Sequence, residues 1–222
     1  MNLGDMTLAM LYIFDWDGTL SQSLDHIVAS IDCAARQAGL PVLSLEEQQA
    51  VIGLGLEEAL SELYPQADSR QRQLWLDAYR ESYLLLDQES PSPLYEGVEE
   101  TLEHLLTQGH KLAVATGKAR RGLDRVMTNA GISHVFSATR CVDEARSKPH
   151  PLMLNQLLEL TGFSAADALM VGDTDFDLLM ANEAGISAVG VTYGAHPITR
   201  LQACRPQRLI ADIRELRQSD AD

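Results

Sequence analysis

Four short apolar segments, separated by stretches with helical periodicity, constrain the fold of this chain more than any other feature of its sequence. The first spans residues 8–14, and the others span residues 112–115, 168–171 and 188–191. Continuous apolar runs of this length are typical of parallel strands that are covered on both faces. Helical patterns such as residues 98–108 lie between them. This alternation predicts an α/β protein with a doubly wound, Rossmann-like parallel sheet.

One long region interrupts the alternation, because residues 22–92 show helical periodicity and no convincing strand. Candidate helices cover residues 24–38, 57–64 and 69–86. The Pro- and Ser-containing tract at residues 88–93 is typical of a linker. We interpret the region as an α-helical cap inserted directly after the first strand. The predicted domains are therefore a Rossmann-like core of residues 1–21 plus 93–222 and a helical cap of residues 22–92.

Charge and cysteine content narrow the possible partners. The formal net charge is −15, and such an acidic surface disfavours binding to nucleic acid or to an anionic membrane. The three cysteines form no CxxC pair, which favours a reducing, cytoplasmic location and no zinc site. No Lys or Arg precedes Arg36, and the first apolar run has seven residues. We therefore expect neither a signal peptide nor a membrane span.

Two carboxylates, Asp15 and Asp17, follow the first predicted strand and are succeeded by Gly18 and Thr19. In an open parallel sheet, chemistry gathers at the carboxyl ends of the strands. An ionised Asp is able to attack phosphorus, and a second carboxyl can protonate a leaving alkoxide if neighbouring negative charge raises its pKa. The pair therefore predicts a nucleophile and a general acid, and a turn that caps the next helix is the structural alternative.

Two further segments carry groups that suit a phosphate. Thr116, Gly117 and Lys118 follow the second strand, where a hydroxyl and an amide at a helix start form a small phosphate cradle. A helix N-cap followed by a solvated lysine is the alternative. Lys148 precedes a helix predicted to begin near His150, where a lysine opposes the helix dipole. Neutralisation of phosphate charge would explain that lysine.

The third predicted strand, residues 168–171, is followed by a second group of acidic residues. Asp173 and Asp177 lie four residues apart and share a helix face if a helix has begun, whereas Asp175 is expected to face solvent. Together with Asp15 and Asp17, this arrangement would bring four carboxylates together, and these need a cation. Oxygen ligands without a His/Cys cluster favour Mg²⁺ over zinc.

In this order the four segments resemble the motifs of the haloacid dehalogenase-like hydrolase superfamily, and within it those of the phosphoglycolate phosphatase-like group. The resemblance extends over residues 13–194. It implies that Asp15 is the nucleophile and a metal ligand. It also implies that Asp17 is the general acid and then the base for water, with its backbone carbonyl on the metal.

The same resemblance assigns roles to the remaining motif residues. Thr116 and Lys148 would hold the transferring phosphoryl group, helped by the Gly117 amide. Asp173 would bind Mg²⁺ directly, and Asp177 would orient a water on the ion. The inserted helical unit matches a cap that closes over the active site.

Within the cap, residues 51–55 resemble the glycine-containing substrate loop of these phosphatases. We therefore predict that Gly53 and Gly55 are substrate-binding residues that influence which substrate is preferred. Trp16, between the two aspartates, is bulkier than the residues expected there.

The resulting prediction is a cytoplasmic, Mg²⁺-dependent phosphatase that hydrolyses a small phosphorylated metabolite, such as phosphoglycolate, through an aspartyl-phosphate. A sugar-phosphate mutase shares all four motifs, and a non-catalytic binding protein on this fold is an alternative from another class. Asp17 argues against a dehalogenase. Residues 21–92 contain no lysine, which argues against phosphonoacetaldehyde-type Schiff-base chemistry.

Overall fold

A computed structural model describes residues 9–218 of this protein. Its core is a six-stranded sheet. Its strands are β1 (Leu11–Phe14), β2 (Lys111–Thr116), β3 (Ala138–Cys141), β4 (Ala168–Gly172), β5 (Ser187–Val191) and β6 (Arg208–Ile210). They pair only in parallel and in the order β3-β2-β1-β4-β5-β6. This order reverses direction beside β1, which places a crevice at the carboxyl end of that strand. The predicted α/β, Rossmann-like class is confirmed.

The helices follow the predicted alternation, apart from the long region after β1. They are α1 (Leu24–Gln37), α2 (Leu45–Gln49), α3 (Leu56–Leu63), α4 (Ser69–Glu89), α5 (Val98–Thr107), α6 (Arg120–Asn129), α7 (Leu152–Thr161), α8 (Asp175–Ala184) and α9 (Ile198–Ala203). The predicted start of the first strand at residue 8 lies outside the described residues, and β1 itself begins at Leu11. Across residues 9–218, no helix combines the length and apolar character that crossing a bilayer requires.

Each central strand contributes side chains to two apolar layers, one on each face of the sheet. Phe14 and Val114 pack into the layer that contains residues of α5, whereas Ile13 and Ala113 pack into the layer that contains residues of α7. Successive strand residues point to opposite faces, so both faces must be apolar. This is why the strands have continuous apolar sequences.

A third apolar cluster lies almost entirely within residues 27–83 and includes Trp75 and Tyr64. Between residues 24 and 89 the chain forms helices α1 to α4 and no strand. The chain enters and leaves this region at neighbouring points. The backbone N–H of Gln22, at its start, donates to the Pro93 carbonyl, at its end, at 2.9 Å. We propose on this basis the division at residues 22 and 92, which stays a prediction.

Candidate active site

Asp15 occupies the carboxyl end of β1, the strand between β2 and β4. Its backbone N–H donates to the Val171 carbonyl at 2.9 Å, and its side chain is buried. Lys148 Nζ donates to Asp15 Oδ1 at 2.5 Å and lies 2.7 Å from Asp177 Oδ1. Three predicted site residues are therefore in direct contact, although they come from distant parts of the chain.

Lys148 is fully buried at the centre of this contact. Burial by itself lowers the pKa of a lysine, but the Asp15 and Asp177 carboxylates hold the pKa of Lys148 above its usual value. The side chain is therefore a cation. Helix α7 begins at Leu152, two residues after the predicted start near His150. Three residues lie between Lys148 and Leu152, so paired carboxylates and not the helix dipole explain the position of Lys148.

Asp173, just after β4, is held by two donors and enclosed by two glycines. Thr19 Oγ1 donates to its Oδ1 at 2.9 Å, and the Ala195 backbone N–H donates to its Oδ2 at 2.7 Å. A Cβ added at Gly18 or Gly194 would lie 2.2 or 2.1 Å from the nearest Asp173 atom. Both positions therefore require glycine for the Asp173 carboxylate to sit where it does.

Asp177 lies in the first turn of α8, where Thr174 forms the N-cap. The backbone N–H and hydroxyl of Thr174 donate to Asp177 Oδ2 at 3.1 and 2.7 Å, which leaves the Oδ1 atom towards Lys148. The expectation that Asp175 faces solvent was wrong. Asp175 is half-buried and lies 2.7 Å from Arg200, because α9 packs against α8.

The donor set of this site fits a divalent metal ion. Oxygen atoms of Asp15, Asp173 and Asp177 lie within 4.8 Å of one another, and Asp15 Oδ2 is buried without a hydrogen-bond partner among the described residues. Burial raises the pKa of Asp15; Lys148 acts against this shift, and Asp177 and Asp173 add to it. Burial and Asp177 also raise the pKa of Asp173 to about 7. A bound cation would relieve this repulsion, and oxygen ligands suit Mg²⁺.

Asp17 lies outside that group of three and has its own partners. Ser23 Oγ donates to Asp17 Oδ1, and Lys118 Nζ lies 3.0 Å from the same oxygen. Lys118 also donates to Tyr83 Oη of α4 at 2.9 Å, and its ammonium lies 4.3 Å from the centre of the Tyr83 ring. Lys118 therefore joins Asp17 to the helical region, an arrangement that its predicted place in a phosphate cradle did not include.

Thr116 and Gly117 lie where the cradle was predicted, at the end of β2. Thr116 is buried, and its Oγ1 accepts the Lys118 backbone N–H at 3.2 Å. A Cβ on Gly117 would lie 2.7 Å from the Gly53 carbonyl oxygen and 2.6 Å from the Leu54 carbonyl oxygen. The loop between α2 and α3 therefore rests directly on the end of β2.

The two loop glycines differ in their surroundings. Gly53 has φ +103°, and a Cβ added there would lie 3.0 Å from Thr174 Oγ1. It lines a cavity that also includes Asp15 and Asp17. The backbone N–H of Gly55 donates to Ser147 Oγ at 2.8 Å, so that amide already has a partner. The substrate-binding roles of both glycines stay predictions.

Sequence reasoning missed several residues that support the site. Thr19 directly follows Gly18 in the first motif. This position could have indicated that Thr19 contacts another site residue, as it does in its hydrogen bond to Asp173. Ala195 and Tyr83 carried no signal of this kind, because a backbone N–H has no side-chain signature and a tyrosine in a helix usually packs. Their contacts depend on how separate parts of the chain meet.

Comparison with known proteins agrees with this geometry. The family described as "Haloacid dehalogenase-like hydrolase" matches residues 12–191. The chain is 36% identical to "Probable phosphatase IndB" of Dickeya dadantii, over 93% of this chain and 91% of that relative. It is 34% identical to "Phosphoglycolate phosphatase" of Vibrio cholerae, over 91% and 93% of the two chains.

A solved structure shares the same fold over nearly its whole length. The crystal structure of a "predicted phosphoglycolate phosphatase" from Haemophilus somnus 129PT superposes with a TM-score of 0.86 at 29% identity, covering 96% of this chain and 98% of that one. These relatives confirm the predicted enzyme class, a phosphatase. The chain belongs to the haloacid dehalogenase-like hydrolase family, in its phosphoglycolate phosphatase-like group.

Proposed function

We propose that this protein is a Mg²⁺-dependent phosphatase that hydrolyses the phosphate monoester of a small metabolite through an aspartyl-phosphate on Asp15. The observation that carries the proposal is the state of the Asp15 carboxyl. One of its oxygens is paired with the buried Lys148, and the other is buried without a partner among residues 9–218, beside Asp173 and Asp177. This is a carboxylate placed for contact with a cation and a phosphate.

In the first step, Asp15 attacks phosphorus and the bond from phosphorus to the ester oxygen breaks. Asp17 donates a proton to the departing oxygen. Its Oδ1 atom is held by Ser23 and Lys118, so Oδ2 is the oxygen available for this transfer. In the second step, Asp17 takes a proton from water, and the water oxygen attacks phosphorus. This releases inorganic phosphate and restores the Asp15 carboxylate.

Asp15, Asp173 and Asp177 would hold Mg²⁺, which supplies positive charge next to the phosphoryl oxygens. Lys148 contributes the second positive charge of the site and keeps Asp15 oriented through the 2.5 Å hydrogen bond. Thr116 supplies a buried hydroxyl at the end of the neighbouring strand. Together these groups offset the negative charge that an acidic protein would otherwise present to its substrate.

Metal binding should raise the melting temperature, and by a larger amount at higher pH. Because the pKa of Asp173 is raised to about 7, the metal-free protein loses stability from this group as the pH rises from about 4 to about 7. Mg²⁺ binds the ionised form, so its stabilising effect should grow as the pH rises through about 7. Thermal unfolding with and without Mg²⁺ across this pH range measures the effect.

Activity gives a matching control for the same proposal. Chelation with EDTA should abolish phosphate release from a generic aryl phosphate, Mg²⁺ should restore it, and Ca²⁺ should substitute poorly because it favours looser, higher coordination. Two results would contradict the proposed metal site: full turnover in EDTA, or a Mg²⁺-dependent rise in melting temperature that is the same at every pH.

The substrate and the location of the protein are finer parts of the proposal. Phosphoglycolate, which is named for several relatives, is the first substrate to test. Release of free phosphate separates a phosphatase from a sugar-phosphate mutase, and turnover of any ester excludes a purely binding protein.

The free cysteines Cys33, Cys141 and Cys204 support the expected cytoplasmic location. The acidic surface supports the expectation that nucleic acid is not a partner.

Replacing Gly53 by Ala should change substrate preference. An alanine is strained at φ +103° and would press against Thr174, so the loop must move and carry the cavity wall with it. We expect the ratio of kcat/KM values for two metabolite phosphates to change by more than about tenfold, with a small generic phosphate nearly unaffected. Steady-state kinetics test this. Equal losses on all substrates would show that the loop supports closure and does not select the substrate.

A further inference from the structure

A cavity of about 640 Å³ lies beside the catalytic carboxylates and reaches into the helical region. Asp15 and Asp17 line it, and so do the aliphatic side chains of Ile27, Ile31 and Val51. This volume falls in the range of pockets that enclose ligands well above the size of a two-carbon acid. Phosphoglycolate would therefore leave most of the cavity, and its apolar walls, without contact.

A row of three aromatic residues on α4 also lines the cavity. Trp75, Tyr79 and Tyr83 are spaced four residues apart and so share one face of the helix. The ring centres of Trp75 and Tyr79 lie 5.4 Å apart, and those of Tyr79 and Tyr83 lie 6.1 Å apart, with planes inclined by 17° and 21°. Tyr83 contacts Lys118 beside Asp17, so the row extends from the catalytic group into the helical region.

Charged residues of both signs line the cavity, so charge alone does not select the organic group. The basic lining residues are Arg80, Lys118, Arg121 and Arg125, of which Lys118 and Arg125 are paired with acidic side chains at 3.0 and 2.7 Å. The wall also contains Glu57, Glu58 and Asp143. The apolar walls and the aromatic row are therefore the features that distinguish one organic group from another.

We infer that the substrate carries on its phosphate ester an organic group about the size of one or two rings, with apolar faces. The inference rests on the proposed phosphatase function and names the substrate class. The ring would lie against the aromatic row of α4, and the ester phosphate would reach Asp15.

A pair of esters tests the inference. Benzyl phosphate and phosphoglycolate are compared with Mg²⁺ at the same pH. Burial of the ring should raise kcat/KM for benzyl phosphate at least about tenfold above that for phosphoglycolate.

Two variants separate recognition from folding. Tyr79→Leu removes the middle ring of the aromatic row, so it should lower kcat/KM for benzyl phosphate by about tenfold relative to that for phosphoglycolate. Tyr64→Phe is the control, because Tyr64 does not line the cavity. It loses the hydrogen bond to the Pro41 carbonyl, so it should lower the melting temperature and leave the substrate ratio unchanged.

Each outcome decides one proposal. Preference for phosphoglycolate over benzyl phosphate overturns the inference, and an equal loss on both esters in Tyr79→Leu overturns the role of the aromatic row. Absence of phosphate release from every ester, a generic aryl phosphate included, overturns the phosphatase proposal instead. In that case calorimetric binding to the Asp15→Asn protein still decides the inference, which requires benzyl phosphate to bind more tightly than phosphoglycolate.

Discussion

Replacing Asp15 by Asn is expected to reduce phosphate release by roughly 10⁴-fold or more, because the variant lacks the nucleophile and no other group can form the covalent intermediate. The amide keeps the size of the carboxyl and an oxygen that can accept from Lys148. Lys148 also retains Asp177 at 2.7 Å, so the cation stays in place. Rapid acid quench followed by mass spectrometry should detect phosphorylated wild-type protein and none of the variant.

The stability of this variant provides the control. Removal of one buried carboxyl whose pKa is raised by burial and by neighbouring acids relieves repulsion in the metal-free protein. Its melting temperature in EDTA should therefore not fall below that of the wild type. Asp175→Asn is the matched carboxyl change, since Asp175 pairs with Arg200 and not with Lys148, and it should keep turnover within about tenfold. A folded Asp15→Asn protein with wild-type turnover would exclude Asp15 as the nucleophile.

The inner strands were predictable because burial on both faces leaves a direct trace in the sequence. β2, β4 and β5 each contain one of the predicted apolar runs, and β1 lies within the run predicted at residues 8–14, as the two layers of the core require. The edge strands β3 and β6 leave no such trace. β3 contains Thr139 and Arg140 within four residues, and β6 has only three residues. An edge strand packs less completely, so its sequence is less constrained.

The sequence was sufficient to predict which residues belong to the site, but not which residues they contact. A carboxylate after an apolar strand marks Asp15 and Asp173, because strand ends are where side chains leave the core. The position of Lys148 between Asp15 and Asp177 joins segments that are far apart in sequence. Spacing along α8 alone predicted that Asp175 faces solvent. In the structure Asp175 is paired with Arg200, which belongs to α9. Local periodicity cannot include a neighbour of this kind.

Replacing Asp17 by Asn is expected to lower kcat/KM for alkyl phosphates by roughly 10²- to 10⁴-fold, the usual contribution of general acid–base catalysis. Asn retains an Oδ1 that can accept from Ser23, so the side chain should keep its position. Lys118 loses its ionic partner but keeps the Tyr83 hydroxyl at 2.9 Å. The loss should therefore come from the missing proton and not from a displaced site.

A series of leaving groups distinguishes these two causes. An alkyl oxygen leaves poorly without a proton, whereas a nitrophenolate leaves well without one, so the effect of Asp17→Asn should shrink steadily from alkyl to nitrophenyl phosphates. The Mg²⁺-dependent rise in melting temperature should survive, because the carboxylates of Asp15, Asp173 and Asp177 are unchanged. Equal losses on alkyl and nitrophenyl esters would mean that Asp17 positions the site through Ser23 and Lys118 and does not donate the proton.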